Sequence, residues 1–354
     1  MNADARDRAA NCLVFPLSGA EARTLEQMSL WLGIDIGGTK TAIALGRADG
    51  TLVATWRGAT APTADAVADL RRLGEEALRL VTGAGHALSA LCGVGVAVPG
   101  PFDGAHGVLL TPPNLPWRDA PVARVLGELL QLPVQLENDA NAAALAEWRF
   151  GAGRGARDFV YLTMSTGVGA GMVLGGQLVR GVGSHAGEWG HVPVEWEGAR
   201  CGCGRRGCLE AYVGGANWAL RLRRETPATS RVVALAGGDP ISPVHLVAAA
   251  REGDAFALAE FARWRGYLIR GLTAIAFALA PEVIVLGTIA TAAGEALCFE
   301  PLRAELDAEL WPSLRGKIRI VPAALDEERP YLAGLCAALE LRDSPAASTA
   351  RRSS

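Results

Sequence analysis

Three groups of residues in this 354-residue chain have types and spacings suited to chemistry. The most specific is His191, Cys201, Cys203 and Cys208, spaced H-x9-C-x-C-x4-C. Three thiolates and one imidazole complete a tetrahedral zinc shell with no position left for a reactive water, so the spacing predicts a structural zinc. Gly202, Gly204 and Gly207 are expected to let the loop fold tightly enough for the sulfurs to converge. The alternative is an unmetallated cluster of buried thiols. Arg205 and Arg206 either moderate the thiolate charge or form a solvated basic turn.

The second group is a pair of glycine turns, Asp35-Ile36-Gly37-Gly38-Thr39-Lys40 and Ser165-Thr166-Gly167-Val168-Gly169-Ala170-Gly171, each between two strand-like runs. Adjacent glycines permit positive φ and let backbone N–H groups converge on an anion without Cβ interference, and Thr39 adds a hydroxyl. Either turn alone reads as well as an ordinary hairpin, and neither fits a P-loop or a strand-to-helix dinucleotide pattern. Their equivalent places in two similar halves predict that both face one triphosphate. The third group is LENDANAAALAEW, which puts Glu137, Asn138, Asp139 and Asn141 at a strand end leading into a helix. Asp or Asn there is an ordinary N-cap; functionally, a carboxylate at that place can take the proton of an attacking hydroxyl, as phosphoryl transfer requires.

The elements that must hold these groups follow from periodicity. WLGIDI, TAIALG and LVATW read as a strand meander, followed by a helix with apolar Val67, Leu70, Leu73 and Leu78 and a buried strand, LCGVGVAVPG. A helix near 120–131, a strand near 133–136 and an alanine-rich helix from Ala140 to Phe150 come next. The theme then restarts with FVYLTM, MVLGG and LVRG, and continues with a helix over 254–279, the strand VIVLG, a helix over 295–309, the strand IRIVP and a last helix over 330–341. Residues from about 224 to 241 read as a loop-rich excursion. Two such halves predict a duplicated α/β architecture with the ligand site in a cleft between lobes.

Composition narrows the function. Basic and acidic residues number 34 and 37, for a net charge of −3 without long blocks of one sign, which disfavours nucleic acid as a partner. No apolar run is long enough to cross a membrane, and residues 1–27 lack the basic start and apolar core of a secretory signal, so a cytoplasmic protein is expected. The seven cysteines are odd in number and crowded at one place, which is no disulfide framework. Histidines 86, 106, 185 and 245 and cysteines 12, 92, 298 and 336 have no partner spacing and read as surface or core residues.

DIGGTK and STGVGAG resemble the two phosphate motifs of the actin, Hsp70 and sugar kinase superfamily in the form used by the ROK family; LENDANAAALAEW and GEWGH followed by CGCGRRGCLE resemble that family's catalytic and zinc segments. The resemblance spans roughly residues 30 to 341. It implies an α/β, two-lobed ribonuclease H-like (actin-like ATPase) fold with a duplicated βββαβαβα core and an inter-lobe cleft. The lobes would be 30–136 and 137–342, the second carrying a zinc-bearing substrate loop over 185–212. Residues 1–29 would be a disordered or mis-assigned extension, and 343–354 a disordered tail.

It further implies ATP with Mg²⁺, Asp139 as general base, and a sugar held by Gly100, Asn114, Asn138, Asp139, Glu188, His191 and Glu210, with His191 using one ring nitrogen for Zn²⁺ and the other for substrate. The nucleotide would be met by Asp35, Gly37, Gly38, Thr39, Lys40, Thr166, Gly167, Val168, Gly169 and Gly287. One departure is VIVLGTIAT, where Thr288 and Ile289 stand in place of the family's further glycine at the adenosine turn, which puts donor preference in question. The expected activity is transfer to the 6-hydroxyl of glucose, with fructose and N-acetylated hexosamines as alternative acceptors. The family also contains repressors, which carry a winged helix-turn-helix before an often degraded first phosphate motif; fewer than 35 residues precede the intact DIGGTK here. A sugar sensor without turnover is the third reading, and a homodimer is expected from the resemblance.

Overall fold

The computed structural model describes residues 29–343; the expected extension over 1–28, with Cys12, and the tail from 344 lie outside the described residues. Those described form two compact units. One comprises the chain to Ala146, Arg180–His185 and everything from Asp326 on; the other comprises Glu147–Val179 and Ala186–Leu325.

The first unit begins with β1 (Leu30–Ile36), β2 (Lys40–Arg47) and β3 (Leu52–Ala59), an antiparallel meander, followed by α1 (Ala66–Gly83). Asp65 caps α1 by accepting from the Ala68 N–H, and Leu70, Ala77 and Val81 form its buried stripe. β4 (Leu91–Val98) is buried at every residue, as a central parallel strand should be. The small ribbon β5 (Phe102–Asp103) and β6 (Val108–Leu109), α2 (Val122–Leu130), β7 (Val134–Asn138) and α3 (Asp139–Arg149) complete the run. The sheet order is β3-β2-β1-β4-β7, with β4 parallel to β1 and β7.

The second unit repeats that topology. β8 (Phe159–Met164), β9 (Val168–Leu174) and β10 (Gln177–Leu178) form the meander; β11 (Val283–Leu286) and β12 (Arg319–Pro322) add in parallel, giving the order β10-β9-β8-β11-β12. Its helices are α4 (Glu210–Val213), α5 (Gly215–Glu225), α6 (Arg231–Ala236), α7 (Pro243–Arg251), α8 (Ala255–Leu279), α9 (Ile289–Gly294) and α10 (Glu300–Glu309), the last two separated by a π-helical turn over Glu295–Phe299. Trp218 and Trp264 stack in its core with Phe261 tilted against both, and the buried Glu260 accepts from Trp218 Nε1 and from Arg221. The duplicated ribonuclease H-like core expected from sequence is therefore present.

The chain closes with α11 (Arg329–Asp343), and here the structure corrects the expected division at 136/137 and 342. This helix belongs to the first unit, packing across β1, β4, β2 and β7. Gly33 and Gly95 are the reason: a Cβ on either would strike the α11 backbone at Leu335 or Ala338, so their absence opens the sheet face to a close helix. Ala97, Ala142 and Ala333 pack together, which draws α3 as far as Ala146 into the same unit. A second correction concerns the excursion over 224–241. It contains α6, whose N-cap Ser230 accepts from the Val232 N–H and donates to Asp254, so polar residues that read as a loop are capping residues.

Candidate active site and metal centre

In the first unit, Asp35, Ala97 and Glu137 lie in one row across β1, β4 and β7. Asn138 ends β7 and the exposed Asp139 opens α3. Asn138 Oδ1 accepts from the N–H groups of Ala140 at 2.9 Å and Asn141 at 3.2 Å, so the amide oxygen is committed to the helix cap and the Nδ2 donor is left for another partner. That Nδ2 lies 3.5 Å from the place a Cβ would take on Gly100. Asp139 Oδ1 accepts from Ala140 N–H at 2.8 Å, at a helix end whose dipole favours negative charge. Burial pushes the Asp35 carboxyl from 3.8 up to about 7, with the charge of Asp139 adding to the effect and Arg329 and Arg57 opposing it.

The first glycine turn is Gly37-Gly38-Thr39, closed by Gly37 N–H donating to Lys40 O at 3.0 Å. Thr60 braces it from β3's end by donating to Gly37 O at 2.7 Å. The expected reason for its glycines needs correcting. Neither Gly37 nor Gly38 has positive φ; a Cβ on Gly37 would lie 2.8 Å from Lys40 O, and one on Gly38 would lie 2.7 Å from Asn114 Cβ. They are required by close approach, and Gly38 brings Asn114 against the turn.

In the second unit the turn is shorter than its sequence suggests. Val168 to Gly171 already pair with Met164 to Tyr161, leaving Ser165, Thr166 and Gly167. Gly167 makes room for Glu210, whose Oε2 would lie 2.5 Å from a Cβ there and accepts from Val168 N–H at 2.9 Å. Gly214 and Gly215 lead into α5, where Gly215 N–H donates to Ser165 O and Ala216 N–H to Thr166 O. Gly287 lies against Tyr161, and the following Thr288 holds φ +54°, ψ −108°, a conformation suited to glycine. The Thr288 hydroxyl accepts from Met164 N–H at 2.9 Å, so the threonine braces the strand end that enters the second turn.

His191, Cys201, Cys203 and Cys208 present ligand atoms all within 4.8 Å of one another. Cys203 and Cys208 Sγ are 3.7 Å apart, as are Cys201 Sγ and His191 Nδ1; zinc–sulfur bonds of ~2.3 Å in a tetrahedron give an edge of about 3.8 Å. Burial pushes the Cys201 thiol up to about 12 and Cys208 in the same direction, while the Arg205 N–H is foremost in lowering Cys203. Such neighbouring thiols become thiolates together only beside a cation, so the donor set fits a divalent soft metal. Gly204 and Gly207 have positive φ, as a tight loop requires; Gly202 does not and faces open space. Arg206 donates to Gly198 O and braces the loop. His191 turns Nδ1 towards the thiols and Nε2 towards Glu188 Oε2, 3.9 Å away; Glu210 Oε1 meets Cys201 Sγ at 3.6 Å.

Sequence reasoning missed the partners of Glu137, which are described below, and the ties of Glu210 and Thr288 to backbone. Nothing local signals the distant ones, because Arg180, Val168 and Met164 lie more than 40 residues away in the chain from Glu137, Glu210 and Thr288. Of the remaining histidines, His106 pairs with Asp103 at 2.6 Å; Cys92, Cys298 and Cys336 are buried.

The profile of the ROK family matches residues 31–339. A glucokinase of Streptomyces coelicolor is 33% identical over 327 residues, covering 90% of this chain and 99% of that protein. A glucokinase of Thermotoga maritima is 36% identical over 306 residues, covering 85% and 94%. The crystal structure of a ROK family glucokinase from Streptomyces griseus in complex with glucose and AMPPNP superposes with a TM-score of 0.73 at 32% identity, covering 88% of this chain and 99% of that one. The paired glycine turns, the strand end bearing Asn138 and Asp139 and the His-Cys loop thus stand in a sequence matched nearly from end to end, and the chain belongs to the ROK family.

Proposed function

We propose that this protein is an ATP-dependent hexose kinase that phosphorylates glucose at the 6-hydroxyl, with Asp139 as the general base. The observation that carries the reading is the end of β7. Asn138 is locked by its cap with its amide nitrogen beside Gly100, and Asp139 follows it exposed on the first turn of a helix, with Asn114 held against the neighbouring glycine turn. Asn138 and Asn114 orient the sugar, and Asp139 takes the proton of the attacking hydroxyl as the γ-phosphoryl group is transferred in line. Glu188, His191 and Glu210 take further sugar hydroxyls. The two glycine turns receive the triphosphate on backbone N–H groups. Mg²⁺ accompanying the nucleotide neutralises phosphate charge, and Asp35, whose carboxyl burial and the charge of Asp139 push up to about 7, is the residue suited to hold it.

Zinc in this reading is structural: His191 Nδ1 and the three thiols fill its shell, and its role is to fix the loop that carries Glu188 and His191. The glucokinase relatives and the glucose-bound neighbour support glucose as acceptor. A second reading, a sugar-binding protein without turnover, is favoured by Thr288 and Ile289 at the adenosine turn.

A coupled ADP-release assay with Mg·ATP against glucose, fructose, mannose, N-acetylglucosamine and N-acetylmannosamine tests both. Turnover greatest on glucose and abolished in Asp139→Asn is the expected result. Preference for another sugar replaces the acceptor, and sugar binding without turnover on any of them replaces the reaction.

A further inference from the structure

We propose that Arg180 is a positioning residue for phosphoryl transfer, acting on Asn138 and Asp139 through the buried carboxylate of Glu137; the proposal rests on the roles assigned above to those two residues. Glu137 is fully buried in β7, immediately before them. Its Oε1 accepts from Asn138 N–H at 3.1 Å and from Asn141 Nδ2 at 3.0 Å, spanning the step from strand to helix on which Asp139 stands. Its Oε2 accepts from Arg180 Nε at 2.8 Å. The same guanidinium reaches Glu340 on α11 through Nη2. Across the sheet, the neighbour of Glu137 in β4 is Ala97, which offers it no polar partner from its side chain.

The location of Arg180 gives this clamp its meaning. It opens the six-residue stretch Arg180–His185, which belongs to the first unit although the residues on either side belong to the second. The stretch is bent by positive φ at Gly181, Gly183 and Ser184, and its 3-10 turn Val182–Ser184 packs on β5. Little regular structure holds it in place, so a bidentate, charge-assisted anchor to two carboxylates carries much of that task. Conversely, Glu137 has no exposure to water, and a carboxylate in that situation keeps its charge only through its donors. Removing Arg180 takes from the buried Oε2 the donor described here. The relief open to the site is movement or protonation of Glu137, and either alters the acceptor that fixes the Asn138 amide. A displacement on the order of 1 Å at a reacting carboxylate costs about 10²-fold in rate, whereas sugar affinity is shared among several residues.

The test uses the full chain and compares Arg180→Met, Arg180→Lys and the double variant Arg180→Met with Glu137→Gln, read by steady-state kinetics on glucose and by amide hydrogen exchange over 138–145. Arg180→Met is expected to lower kcat by about tenfold or more with glucose KM changed less than about threefold, and to speed exchange at Asn138. The double variant, which removes the uncompensated charge and keeps an acceptor for Asn138, is expected to recover a substantial part of both; Arg180→Lys falls between. Wild-type kcat in Arg180→Met overturns the proposal, as does faster exchange with kcat unchanged. If Arg180→Met fails to fold, the other two variants decide: a folded double variant with wild-type melting temperature but no recovery of kcat relative to Arg180→Lys overturns it. Wild-type protein without turnover, or Asp139→Asn with full turnover, is instead the failure of the kinase reading, and hydrogen exchange at Asn138 still reads the hold of Arg180 on the strand end.

Discussion

In the first sheet the penultimate residue of β1 is Asp35 and the fifth strand runs out into Asn138 and Asp139; in the second, the penultimate residue of β8 is Thr163 and the fifth strand runs out into Pro322 and Ala323. The strand order is the same, so topology does not decide which unit carries carboxylates. Close to this second strand end, Ala324 and Leu325 donate backbone N–H groups to the buried Glu147, a structural use of a carboxylate whose two oxygens both accept from backbone. In the first unit, burial and the charge of Asp139 instead push the Asp35 carboxyl up to about 7. The second unit carries the cluster of His191, Cys201, Cys203 and Cys208 and a threonine brace. The duplicated frame supplies two sets of strand ends, and only those of the first unit carry Asp35, Asn138 and Asp139.

The sharpest way to break this contrast is at Asp139. Replacing it by Asn is expected to lower kcat by about 10²–10⁴-fold while nucleotide and sugar binding persist, and an added Ala323→Asp is expected to restore nothing, because the N–H groups of Ala324 and Leu325 beside it are already given to Glu147; stopped-time ADP assays and calorimetry check both. Next in size is the metal loop. Cys208→Ser should reduce bound zinc, measured by elemental analysis, from one ion per chain to none, lower the melting temperature by on the order of 5 °C and raise glucose KM more than it lowers kcat.

The Asp35 prediction is smaller and depends on pH. Between 3.8 and about 7 the folded protein holds a proton that the unfolded chain has lost, so this group's contribution to stability falls as pH rises through that window. Asp35→Asn should therefore raise the melting temperature at pH 8, with the gain shrinking towards zero below pH 4, as scanning calorimetry across pH would register. Smallest is Thr288→Gly. It relieves a positive φ and removes the acceptor of the Met164 N–H, two effects of opposite sign that should leave stability within about 1 kcal/mol of wild type. A change in ATP KM, without one in glucose KM, would assign the threonine to the donor side.

Much of the fold is readable from the chain because the strands are short apolar runs bounded by glycine, and because the meander repeats. The glycine turns, the His-Cys loop and the Asn138-Asp139 step were legible for the same reason: each is local in sequence. What was not legible depends on distance. α5 buries Arg221 beside an exposed Leu220, and α7 exposes Val244 beside the buried Leu246 and Val247, so residue type along each misreads its buried face. The membership of α11 required knowing that Gly33 and Gly95 face a helix backbone; glycines inside apolar strands were the available signal. Arg180 lies 43 residues from Glu137 and 160 from Glu340, so no spacing announces the clamp.

The return of α11 to the first sheet has a consequence for how the protein is made. The strands containing Gly33 and Gly95 leave the ribosome first, yet the face they open is covered only by residues 329–343, the last described part of the chain. The second unit is contained in 147–325 apart from one six-residue excursion, so it has almost all its partners while the first still waits. Order of completion is thus the reverse of order of synthesis, and a nascent chain stalled before Arg329 should expose a bare β1–β4 surface beside an already protected second core.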